Sequence, residues 1–232
     1  DNALILPPIL GLDNDYSFIE ELRDRTWERK NRPMYTEKVS IIIPAYNRKE
    51  KLAKTIAALT HQTYPHNLLE VIIADDGSSD NPEELCETFK DFFSISYIRQ
   101  EDDGYRLSEI RNKGIAAASH EQIIILDCDM LPLPTLVESY MKYAHVSSKI
   151  VLIGGRRYVN TDNVSFQEII QDISHVSSLP SVDTSTGMIP KNGLPPTEDW
   201  RYKIYRTTNN LKNSKFPFRA FCGGNVCFHK SL

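Results

Sequence analysis

The chain has 232 residues, 41% of them hydrophobic, and its 27 Lys and Arg against 31 Asp and Glu give a formal net charge of −4. That length can bury the core of one large α/β domain, and a pI near 5.9 offers no electrostatic basis for binding nucleic acid. No apolar run is long enough to span a bilayer, and the apolar start from Leu4 to Leu12 carries two prolines and no basic lead, so no signal peptide is read. Cys86, Cys128, Cys222 and Cys227 lack CxxC spacing, which disfavours zinc and a disulfide framework and fits reduced thiols. The expected location is cytoplasmic, with peripheral association at the inner face of a membrane left open.

Residues 1–38 read as an N-terminal helical extension. Phe18, Leu22 and Trp27 share a face of a helix from about Ser17 to Arg29, with capping candidates at Asp13 to Asp15. Val39 to Ile43 reads as a buried strand closed by Pro44, and Leu52, Ile56 and Leu59 recur at helical spacing after it. Val71 to Ala74 is the next strand, ending at Asp75 and Asp76. Pro82 suits the first position of the helix that follows. Ile95 to Ile98 is a third strand, and a helix from about Ser108 to Ser119 carries Arg111. Ile123 to Leu126 is a fourth strand that stops at Asp127-Cys128-Asp129.

Further on, a helix spans about Pro134 to Val146 and a strand spans Ile150 to Ile153. Ser165 with Glu168 matches a capping box. Residues 177–199 read as a long loop, Trp200 to Tyr205 as a helix, and Phe216 to Phe228 as resumed strand around Gly223 and Gly224. Strands alternating with helices at these spacings indicate an α/β fold with a mainly parallel sheet.

The chemistry concentrates at the strand ends. Side chains at i and i+2 share one side of an extended chain, so Asp127 and Asp129 can converge on one hard divalent cation and, through it, on phosphate oxygens. A solvated polar turn is the other reading. Asp75 and Asp76 could accept hydrogen bonds from a base or a ribose; an N-cap cluster explains them equally. Arg111 could pair with Asp127 or with a phosphate. Gly223 and Gly224 suggest close backbone approach to a ligand or a bulge, and Trp200 could stack on a sugar or simply pack.

Taken together, four motifs resemble family 2 inverting glycosyltransferases of the GT-A fold: the strand ending Pro44-Ala45-Tyr46-Asn47, then Asp75-Asp76-Gly77-Ser78, Arg111-Asn112 and Asp127-Cys128-Asp129. Leu126 to Met130, Asp199-Trp200-Arg201 and Pro217-Phe218-Arg219 leading into Gly224-Asn225 are similar to the N-acetylhexosaminyltransferase domain of bacterial chondroitin and hyaluronan synthases. The resemblance implies a GT-A domain over 39–232 with a Rossmann-like, mainly parallel mixed sheet flanked by helices. It implies that Pro44, Ala45, Tyr46, Asn47 and Asp75 or Asp76 hold the uridine of a UDP-sugar, with UDP-GlcNAc or UDP-GalNAc the expected donor. Arg111 would brace the nucleotide and the metal-binding acids. Asp127 and Asp129 would bind Mn²⁺ (or Mg²⁺) and the diphosphate. Gly223, Gly224 and Asn225, with Trp200, would border the donor sugar and a glycan or other hydroxyl acceptor, which attacks the anomeric carbon with inversion.

In the family a Trp-Gly-Gly-Glu-Asp-like segment follows the Gly-Asn strand and carries the proposed base. The sequence ends at Leu232, before such a segment, so the expectation is a domain truncated at its C-terminus with its base beyond Leu232. A non-catalytic sugar-nucleotide-binding module and a nucleotidyltransferase are the rival readings. The latter would favour a Gly-rich loop after the first strand, where Pro44-Ala45-Tyr46-Asn47 stands instead.

Overall fold

Val39–Ala45 (β1) and Leu69–Asp75 (β2) are buried along their whole length, because helices cover both faces of the sheet they share. A computed structural model describes residues 14–27, 36–183 and 199–232, with the side chains of 25–27 outside that description. Alternation along β1 divides the core in two. Ile41 and Ile43 face Leu52, Ile56 and Leu59 of Lys49–Leu59 (α2), whereas Ile42 faces Ile110 of Leu107–Ala117 (α4) across the sheet.

The remaining strands are Ser94–Arg99 (β3), Gln122–Leu126 (β4), Val151–Ile153 (β5) and Asn225–His229 (β6). The order across the sheet is β3-β2-β1-β4-β6-β5. The first four strands run parallel; β6 is antiparallel to β4, and β5 is antiparallel to β6. The sheet is therefore mixed and mostly parallel, as expected. Glu84–Phe89 (α3), Leu136–Ala144 (α5), Phe166–Gln171 (α6), Ser174–Ser178 (α7) and Trp200–Thr207 (α8) complete the body. The capping box at Ser165 is present, with Ser165 Oγ accepting from the Glu168 N–H and the Glu168 side chain accepting from the Ser165 N–H.

Three expectations need correction. Residues 216–224 are not strand: Pro217–Ala220 is a 3₁₀ turn, and β6 begins only at Asn225. Pro217 fixes φ and has no N–H to give a ladder, so the aromatic run that follows bends instead of pairing. Pro82 sits in a turn ahead of α3, whose N-cap is Glu83. In Ser17–Trp27 (α1) the inward face centres on Ile19, 4% exposed, while Phe18 and Leu22 are 60% and 41% exposed. That helix is fixed by polar contacts: Tyr16 Oη donates to Asn210 O at 2.7 Å, Lys212 pairs with Glu20 at 2.5 Å, and the Arg23 guanidinium lies over the Tyr143 ring of α5. Most of the long loop read at 177–199 lies outside the described residues.

Candidate functional site at the sheet switch point

The chain leaves β1 for β2 on one side and later returns to place β4 on the other. The C-terminal ends of β1 and β4 thus form the switch point at which open α/β sheets bind ligands. Ala45 pairs with Asp75, and Ile42 pairs with Ile125. Tyr46-Asn47, Asp75-Asp76 and Asp127 consequently emerge side by side from three neighbouring strands.

On the β4 side, the Asp127 carboxylate is partly buried. Burial pushes its pKa up, opposed by the Arg111 guanidinium and reinforced by the negative charge of Asp129. Arg111 Nη2 donates to Asp127 Oδ1 at 2.7 Å, a charge-assisted bond that fixes the carboxylate. Gly223 and Gly224 close the other side. A Cβ on Gly224 would stand 2.2 Å from Asp127 Oδ2, and one on Gly223 would stand 2.9 Å from Arg111 Nη1. Gly224 also adopts a φ of +121, which side-chain-bearing residues rarely tolerate. The close backbone approach expected here is thus an approach to the ion pair itself. Asp127 N–H donates to Gly224 O at 2.9 Å, and Met130 N–H returns to Asp127 O at 3.0 Å, forming a turn that carries the exposed Asp129. Between the two acids, Cys128 points into the core, and burial pushes its thiol up to about 12.

This donor set suits a hard cation. Asp127 keeps Oδ2 outside its bond to Arg111, Asp129 is exposed, and no group of three or more His, Cys, Asp or Glu that could hold an ion occurs among the described residues. Two carboxylates fit Mg²⁺ or Mn²⁺ completing its shell with water and phosphate oxygens; they do not suit zinc.

On the β2 side the acids are committed to the chain. Asp75 is fully buried. It accepts from the Ser78 N–H at 3.0 Å, from Ser78 Oγ and from Tyr97 Oη at 2.6 Å, with Arg99 Nε 3.7 Å away. Asp76 accepts from Gln100 Nε2 and from the Arg106 N–H at 3.1 Å. Across the loop, Asn47 at φ 50 receives the Ser79 N–H on its side-chain oxygen at 2.8 Å, and its own N–H reaches Ser78 Oγ at 2.9 Å. Tyr46 is half exposed and donates to Asp102 Oδ2 at 3.0 Å. An open groove lined by Arg99, Gln100, Glu101 and Asp102 adjoins it.

Asn225 is buried. Tyr140 Oη donates to its Oδ1 at 2.7 Å, and its Nδ2 donates to Gly155 O at 3.0 Å, tying β6 to α5 and to the end of β5. Trp200 is half exposed at the start of α8. Asp199, the N-cap of that helix, is buried between two arginines. Arg201 Nη2 donates to it at 2.9 Å and Arg156 Nε at 2.5 Å, and these bonds outweigh burial and hold its carboxyl down to about 2. A carboxylate so held cannot serve as a base near neutral pH. Sequence reading missed Arg156 and Asp102; neither sits in a patterned segment, and only long-range pairing brings them to the site.

Comparison with known proteins matches this architecture. The glycosyl transferase family 2 model matches residues 40–224. The chain is 39% identical over 230 residues to chondroitin synthase of Escherichia coli, covering 98% of this chain and 33% of that protein. It is 36% identical to chondroitin synthase of Pasteurella multocida strain Pm70, covering 91% of this chain and 22% of the relative. Hyaluronan synthase of Pasteurella multocida is 34% identical, with 98% and 23% covered. The chain therefore spans between about a fifth and a third of the length of these relatives. With both the switch-point acids and the matched span in hand, the chain belongs to glycosyl transferase family 2.

Proposed function

We propose that the chain is the sugar-transferring domain of a metal-dependent, inverting glycosyltransferase that uses a UDP-sugar, UDP-GlcNAc or UDP-GalNAc. The acceptor is a hydroxyl of a growing glycan. The observation that carries this reading is the pairing of Asp127 with Arg111 at the β1–β4 switch point, with Asp129 exposed beside it. The names of the relatives, chondroitin synthase and hyaluronan synthase, agree with a glycan product.

In this reading the Tyr46 ring and the groove beside Asp102 receive the uridine. Asp75 and Asp76 act mainly by holding the Ser78 and Arg106 backbone that borders it. Asp127 and Asp129 hold Mn²⁺ or Mg²⁺, which when bound neutralises charge on the diphosphate as it departs. Arg111 orients Asp127 and favours its ionised form against the burial that pushes its pKa up. Gly223 and Gly224 keep side chains out of the space beside the ion pair, and the half-exposed Trp200 indole offers a face for a sugar ring. No helix among the described residues is long and apolar enough to cross a membrane.

The test is release of UDP from UDP-GlcNAc and UDP-GalNAc in Mn²⁺ and in EDTA, with and without a glycan acceptor. Release in Mn²⁺ that stops in EDTA supports the reading. Release undiminished by EDTA contradicts the metal role, and no release under any condition contradicts the transferase role for this chain.

A further inference from the structure

The loop after β5 holds a cation that the reading above does not use. Arg156 Nε is bound to Asp199, and its guanidinium lies 5.4 Å from the Tyr158 ring centroid. Its two terminal nitrogens have no hydrogen-bond partner among the described residues, although the side chain is only 22% exposed. A guanidinium pinned by one edge and stacked on a ring is preorganised, with its remaining donors free for two oxygens of an anion such as a phosphate.

Its support is buried. Asp199 accepts from the Arg201 N–H, Nε and Nη2, and Arg201 is 1% exposed. One carboxylate between two guanidiniums leaves this cluster, taken by itself, with one net positive charge. Sheet register supplies the direction. Gly154 N–H donates to Asn225 O at 3.0 Å, Asn225 pairs with Leu126, and Asp127 follows directly. Arg156 therefore starts two strand spacings from Asp127, about 10 Å. The charges of the whole assembly also match a diphosphate. Arg111, Arg156 and Arg201 cancel Asp127, Asp129 and Asp199, so a bound divalent cation leaves the site with two positive charges.

We propose that Arg156 binds the diphosphate of the donor from the β5 side, and that Asp199 and Arg201 are positioning residues that hold it there. This assigns a role to the Asp199-Trp200-Arg201 turn. The proposal rests on the donor-site reading above.

The experiment is calorimetric titration of UDP and UMP in Mn²⁺ into the chain and its Arg156→Ala, Arg156→Lys and Asp199→Asn variants, each checked by thermal unfolding. Arg156→Ala should weaken UDP by about tenfold or more, the scale of a charge-assisted contact, and UMP by clearly less. It should also flatten the salt dependence of UDP binding, and Arg156→Lys should restore part of the affinity. Asp199→Asn should shift UDP in the same direction; if that variant fails to fold, the two Arg156 variants decide alone. Unchanged UDP affinity in Arg156→Ala, or equal losses for UDP and UMP, overturns the proposal. If UDP binding survives and only the acceptor KM rises, Arg156 faces the acceptor and the proposal is also overturned. Absence of Mn²⁺-dependent UDP binding in the unsubstituted chain is a different failure, that of the donor-site reading itself.

Discussion

Asp75 and Asp127 stand at the ends of strands that flank β1 on opposite sides, and their carboxylates are in opposite situations. Asp75 is fully buried and accepts from Ser78 and Tyr97, so it holds a loop together. Asp127 is 31% exposed, with one oxygen on Arg111 and the other beside Gly224, so it can still accept a ligand. The contrast teaches that a buried acid with every lone pair engaged is a fixture, whereas one held by a single arginine is a poised site.

Substitutions can break this contrast, and the largest effect belongs to the open side. Replacing Asp127 and Asp129 together by Asn should lower Mn²⁺-dependent UDP affinity by about a hundredfold or more while the urea midpoint stays nearly unchanged; titration and denaturation read the two quantities separately. The fixture should behave the other way. Asp75→Ala strands Tyr97 and the Ser78 N–H, and should cost about 3 kcal/mol of stability by urea denaturation.

Gly224 joins both themes. Gly224→Ala puts a methyl against Asp127 at a φ that favours glycine, so a loss of about 2 kcal/mol is expected together with weaker Mn²⁺ binding. If Gly224→Ala changes stability alone, the Gly-Gly turn has no bearing on the metal acids.

A smaller effect appears in acid. The folded Asp199 carboxyl lies at about 2, below its ordinary 3.8, so its contribution is complete above the ordinary value and disappears as pH falls from about 4 to about 2. Thermal unfolding across that window should show a loss of about 1–2 kcal/mol that Asp199→Asn abolishes. Tyr46→Phe removes one exposed hydrogen bond to Asp102 and should change stability by about 0.5 kcal/mol or less. A large loss there would mean that the loop after β1 depends on that bond.

How much of this could be read in the sequence depended on distance along the chain. Ile123 to Leu126 followed by two acids shows in a window of a few residues, and so do the βα units at Val39 and Val71, because buried parallel strands are continuous apolar runs. The pairing of β6 between β4 and β5 leaves no such trace, since Asn225 meets Leu126 across about a hundred residues of chain. The aromatic run from Phe216 imitates strand composition, and only the Pro217 turn in three dimensions separates it from β6. The acids after β2 were equally readable as ligands or as caps. What separates the two is Tyr97 of the neighbouring β3 and Gln100 directly after it. Arg156 had no local signal because its meaning comes from Asp199, 43 residues away.

The most direct test is a titration of UDP, with ADP as control, into the intact chain in Mn²⁺ and then in EDTA. The proposed donor site at Asp127 and Asp129 requires binding that is selective for UDP over ADP, is lost in EDTA, and disappears in the double Asn variant. UDP binding of equal strength in EDTA, or retained in that variant, would contradict it.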